Sequence, residues 1–189
     1  MYLASTDDAN RLLESDPLAL LLGMMLDQQI PMDKAFTSPA VLRDRMKKPL
    51  DAKRIAAYNP EKLEQLFATP PALHRFPSAN AARAQALCAI VVEKYDGDAA
   101  AIWRDVPTGA ELIRRLKELP GFGEQKAKIF AALLGKQFDV RPKGWEKASA
   151  PYSAKRSFMS VADVVDAASL AKVREYKKQM KAAAKAEQS

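Results

Sequence analysis

Residues 108–136, TGAELIRRLKELPGFGEQKAKIFAALLGK, decide the fold. Thr108 reads as an N-cap, and Glu111 three positions later predicts a capping box. Leu112, Ile113, Leu116 and Leu119 follow at helical spacing and stop at Pro120-Gly121-Phe122-Gly123. The two glycines permit a tight reversal, after which Ala127, Phe130, Ala131 and Leu134 form one apolar stripe. The prediction is a pair of helices joined by a very short turn. The second helix opens with main-chain N–H groups that lack intrahelical acceptors, beside residues small enough for an anion to approach. Lys126 and Lys128 add positive charge there. A plain αα-corner, with glycines serving only the turn, fits the same four residues.

The chain's 189 residues suffice for one well-cored domain or two small interleaved lobes. Hydrophobic residues make up 48%, which argues against global disorder. A net charge of +7 favours a polyanionic partner without naming it. No charged-then-apolar leader is read at the start. The longest apolar run, Leu18 to Leu26, falls short of the roughly 20 residues a bilayer requires, so cytoplasmic residence and no membrane partner are expected. Cys88 is alone, which rules out an intramolecular disulfide and a four-cysteine iron–sulfur cluster. It lies in an apolar helical stripe and reads as a core residue. The single His74 excludes multi-histidine metal sites, and no side-chain metal site is expected.

Local signals then divide the chain. Residues 1–14 are helix-prone, with Leu12 and Leu13 as anchors. Ser15-Asp16-Pro17 caps a helix, PLALLLGMMLDQQ, that is apolar on nearly every face and should be the buried centre. Gly23 predicts a close helix crossing, and Ile30-Pro31 ends the segment after the polar Asp27-Gln28-Gln29. Ser38-Pro39, Asp51 and Asn59-Pro60 each open a short helix. Phe76-Pro77-Ser78 opens a longer one that stops at Gly97, and Asp98 caps a short helix containing Trp103. Residues 139–160 read as a loop, and Asp166 caps a final helix with Leu170, Val173 and Tyr176 facing inward. No period-2 strand is found, so the fold class is all-α.

Three segments carry a family resemblance. LPGFGEQKA (119–127) resembles the signature LPGVGxKTA, and LLGMMLDQQIPMDKA (21–35) resembles LLxxxLSQQTSxxxA. ANAARAQALCAIVVEKYDGD (79–98) resembles a third helix ending in ExYGG. Together they identify a likeness to the HhH-GPD superfamily of base-excision DNA glycosylases, endonuclease III-like but without the iron–sulfur cluster. The resemblance covers about residues 17–138, in matching order. It implies two interleaved helical lobes with a cleft between them. Residues 17–138 would form one lobe with its hairpin at 111–136, and residues 1–16 plus 139–189 the other, with a basic C-terminal tail.

The likeness also implies roles. Gln29 is the candidate wedge that fills the gap left by an extruded base, and Gln28 a pocket or DNA contact. Asp27 replaces the usual small residue and joins the candidate base pocket; Pro31 departs from the usual polar residue. DNA contact falls to Leu119, Gly121, Phe122, Gly123, Glu124 and Lys126, with one backbone phosphate on the hairpin amides and a monovalent cation on its carbonyls. Bifunctional members carry a Schiff-base lysine two residues after the second glycine, where this chain has Gln125. Lys126 lies one helical step away and should point elsewhere. The family's aspartate stands about twenty residues after that glycine, here Lys143, and no matching string appears. Asp139 is the first candidate for the carboxylate, with Asp163 and Glu146 as alternatives. Trp145, Tyr152 and the segment His74-Arg75-Phe76 are candidates for stacking on a flipped base.

The resulting expectation is a monomeric, monofunctional DNA glycosylase acting on duplex DNA with a damaged or mispaired base, with no cofactor beyond that cation. In a prokaryote it would be nucleoid-associated. A non-catalytic lesion-binding protein and a helical interaction protein that no longer meets DNA are the two other readings. Residues 172–185 hold six Lys or Arg against one Glu, a solvated helix or an electrostatic tether.

Overall fold

The computed structural model describes residues 1–187. Helices α1 (Asp7–Ser15), α2 (Pro17–Leu26) and α3 (Met32–Met46) pack on one another. Short helices α4 (Ala52–Ala56) and α5 (Pro60–Ala68) lie along α6 (Pro77–Tyr95). The hairpin is α7 (Gly109–Lys117) and α8 (Glu124–Gln137); α9 (Trp145–Ala148) and α10 (Ala167–Glu187) complete the chain. Among the described residues the sole β-type pairing is an isolated bridge between Thr108 and Lys143. The fold is all-α, as the periodicity predicts.

Helix α2 is the centre because its sequence permits nothing else. Asp16 caps it through the Leu18 and Ala19 amides, Pro17 starts it, and every residue from Leu18 to Leu26 is buried. Gly23 allows the predicted crossing: a Cβ there would fall 2.8 Å from the Phe36 ring on α3. The hairpin is tied to this core by aromatic edges. Phe130 meets both Trp103 and Phe122 in T-shaped contacts at 5.6 and 5.8 Å. Cys88 is buried in α6, and burial pushes its thiol up to about 12, consistent with packing alone.

Several local expectations need correction. Ser38-Pro39 does not open a helix; α3 starts at Met32 and runs through Pro39. The missing proline N–H costs one ladder bond, but Ala35, Phe36, Pro39 and Ala40 are all buried, so the helix continues. Thr108 does cap α7 through the Glu111 amide, yet the capping box is half made. Glu111 turns its carboxylate to Arg114 and Arg115 instead. Helix α1 packs on both α2 and α3. The 139–160 stretch contains α9, seated on α7 and α8.

Candidate nucleic-acid interface

The turn between α7 and α8 is built by two glycines that do different jobs. Gly121 has φ +86°, and a Cβ on it would meet Arg83 Cδ at 2.9 Å and Met25 Cγ at 3.1 Å. That glycine seats the turn against α2 and α6. Gly123 has φ −80° and ψ 179°, and a Cβ there would meet nothing within 4 Å. Its side of the turn is open. Phe122 folds its N–H back to the Leu119 carbonyl at 3.1 Å, and both side chains are buried. Leu119 and Phe122 therefore anchor the turn, and only their main chain is available to a ligand.

No side chain caps α8. Among the described residues the amides of Gly121, Gly123, Glu124, Gln125 and Lys126 find no protein acceptor; Ala127 is the first to bond back, to Gly123 at 2.9 Å. Gly123, Glu124 and Gln125 are exposed. Unpaired donors aligned with the helix dipole are the arrangement to which an anion can bind. The Glu124 carboxylate lies between Lys117 at 2.6 Å and Lys128 at 3.3 Å, and hydrogen bonds from both hold it below its usual pKa. Its charge is balanced locally.

The Gln28-Gln29 turn follows the end of α2, on which the hairpin is seated. Helix α2 ends at Leu26 with Asp27 as its C-cap, so both glutamines fall in the turn and not on the helix. Gln29 has φ +59°. The side chains of Gln28 and Gln29 are exposed and bond to no described residue. Two distant groups fix this turn to its surroundings. Lys126 Nζ donates to the Met25 carbonyl at 2.9 Å, linking α8 to the end of α2. Burial depresses the Lys126 amine to about 8, while the Asp27 charge works the other way. The second tie is His74. Its Nδ1 accepts from the Phe76 amide at 3.1 Å, so Nε2 carries the proton and donates to the Gln28 carbonyl at 2.8 Å. Burial lowers the His74 pKa, which keeps the ring neutral. His74 is enclosed and cannot stack on a base; Phe76, with Arg75 over its ring at 4.8 Å, is exposed.

Other candidate residues lie elsewhere. Asp139 stands past the far end of α8, about 20 Å from the turn at 1.5 Å per residue. Its φ of +59° terminates the helix, its side chain is 84% exposed, and it pairs with Arg141 at 3.2 Å. Asp163 is buried, with 3% exposure, and fully engaged by Lys136 at 2.5 Å, Ser157 and the amides of Met159 and Ser160. It closes a capping box and has no capacity left. Glu146 and Trp145 belong to α9 at the same far end, where Trp145 lies on Gly135 so closely that a Cβ would fall 2.3 Å from its ring. Tyr152 does return to the interface: its hydroxyl accepts from Gln125 Nε2 at 2.9 Å. The structure thus brings together Asp27, Gln28, Gln29, Gly121–Lys126 and Tyr152, and leaves the three sequence-chosen carboxylates outside.

Sequence reasoning missed Arg83, which presses on Gly121, and Lys177, whose charge acts on Asp27 from α10. Neither has a local signal.

A comparison with family models matches residues 22–189 to the HhH-GPD superfamily base excision DNA repair protein. The chain matches no curated protein and no solved structure. The match runs over both the glutamine turn and the hairpin, in the arrangement just described, and its family works on DNA. The protein is a member of the HhH-GPD superfamily of base excision DNA repair proteins.

Proposed function

We propose that the protein is a monofunctional DNA glycosylase that grips duplex DNA with the hairpin amides, inserts Gln29, and releases a damaged or mispaired base by hydrolysis. One observation carries this reading: the amides at 123–125 and the Gln29 side chain have no partner among the described residues, and the Lys126–Met25 bond joins the two segments that bear them. A phosphate on the amides positions the duplex, and a side chain in the gap supports extrusion of a nucleotide. The carbonyls of Glu118 and Gly121 accept no hydrogen bond among the described residues, an uncharged oxygen set that suits a monovalent cation.

The monofunctional part rests on the amines. Gln125 has none, and Lys126 is held on a carbonyl with its nitrogen half-buried. Without an amine at the sugar there is no imine and no strand cleavage by β-elimination. Incubation with duplexes carrying alkylated, oxidised, deaminated or mispaired bases is expected to yield free base with the strand intact. Borohydride is expected to trap no covalent adduct. An adduct lost in Lys126→Met would make that lysine a nucleophile and overturn the assignment.

A non-catalytic lesion binder is the second reading. It is favoured by Lys143, which stands where the family places its aspartate and is engaged with Thr108 in the isolated bridge. Base release from any duplex in the series decides between the two.

A further inference from the structure

We propose that Asp27 is the carboxylate facing the sugar of the extruded nucleotide, with the cavity between residues 30–33 and α10 receiving its base; this rests on the glycosylase reading above. The cavity, about 240 Å³, is walled by Ile30 and Met32 on one side and by Leu170, Val173 and Lys177 on the other. Asp27 is set at its edge by the end of α2, two residues before Gln29. Its main-chain N–H bonds Gly23 and Met24, but its carboxylate has no hydrogen bond and no ion pair with any described residue.

That distinguishes it from every nearby acid. Asp33 shares the cavity but is approached by Arg174 at 3.9 Å and by Ser5 at 3.5 Å. Glu124 is held between two lysines. Burial raises the Asp27 carboxyl, while the charges of Lys177 and Lys126, from two different helices, oppose that rise. Asp27 is half-buried at the mouth of that cavity, and a carboxylate partly removed from water without a hydrogen bond costs stability unless something later occupies the space before it. A sugar developing positive charge is such an occupant.

The step then balances. The C1′–N bond breaks with its electron pair leaving on the base, and positive charge spreads over C1′ and the ring oxygen opposite Asp27. A water oxygen bonds C1′, Asp27 takes the water's proton, and that proton passes to the departing base nitrogen. The products are free base and an abasic sugar.

The test uses two abasic duplexes, one with a cationic pyrrolidine in place of the sugar and one with neutral tetrahydrofuran. The wild-type protein should bind the cationic duplex at least about tenfold more tightly, as a mimic of the charged state. Asp27→Asn should erase that preference and keep the affinity for the neutral duplex, which also reports that the variant folds. Base release should fall at least about a hundredfold in the same variant. A wild-type protein without the preference, or an Asp27→Asn variant that keeps it, overturns the assignment. Release that persists in Asp27→Asn overturns the assignment while leaving the glycosylase reading in place. Failure of the wild type to release any base sinks that reading instead, and the pyrrolidine preference still decides whether Asp27 faces the sugar.

Discussion

Gly121→Val is expected to destabilise the protein by about 2–4 kcal/mol, read from urea unfolding. A β-branched residue is strained at the observed φ of +86°, and its Cβ would press into Arg83 and Met25. Met25 is fully buried and Arg83 half-buried, so the turn must shift off α2 to make room. The adjacent glycine should behave differently. Gly123→Ala places a methyl in open space at an ordinary φ, and its cost should stay within about 1 kcal/mol, the difference between glycine and alanine as an N-cap. Its methyl does project where an anion would lie, so duplex affinity should fall. Equal stability losses in the two variants would mean that the outer side of the turn is as packed as the inner side.

Lys126→Met is expected to remove a pH dependence of stability at the alkaline end. The lysine's folded pKa is about 8 against the ordinary 10.5, because burial disfavours the charged amine. Between those values the unfolded chain binds more protons than the folded one, so wild-type stability rises with pH across that window. Below about 8 both states are protonated and the burial cost is fully present. Asp27 and Arg83 act on the amine in opposite directions and do not cancel that cost. The stability of the wild type relative to the variant should therefore rise by on the order of 2 kcal/mol from pH 7.5 to pH 10.5. Duplex affinity should fall at low salt and the salt slope should drop by about one. A flat difference across that range would place the amine in solvent, and the tie to α2 would be lost with it.

The two variants also show what the sequence made readable. Capping at Asp16, Asn59 and Thr108 was legible because donor and acceptor lie within three residues. The buried identity of α2 followed from an unbroken apolar run. Pro39 misled because burial of one face outweighed the local proline rule. Glu111 misled because two arginines on its own helix competed for its carboxylate. The site divided in the same way. Gln28, Gln29 and the glycines stand out by motif, since what marks them, a turn and an exposed side chain, is local in sequence. Lys126 meets a carbonyl 101 residues away, and His74 one 46 residues away. Such partners are created by packing, which no window of sequence contains. The family pattern points to a carboxylate after the hairpin, where Asp139 serves as a left-handed helix terminator; Asp27 reads from the sequence as a base-pocket candidate at the end of a buried helix.

Everything functional depends on the amides at the start of α8 holding a DNA phosphate, and one substitution removes an amide without disturbing the fold. Position 124 is the first residue of α8, where proline is well tolerated, and Gly123 is already extended as a residue before proline must be. Glu124→Pro and Glu124→Ala lose the same carboxylate and differ in a single N–H. The two variants should share a melting temperature, and duplex binding by Glu124→Pro should be about tenfold weaker, the value of a hydrogen bond to a charged group. Equal affinity of the two variants for duplex DNA would contradict a phosphate at that amide.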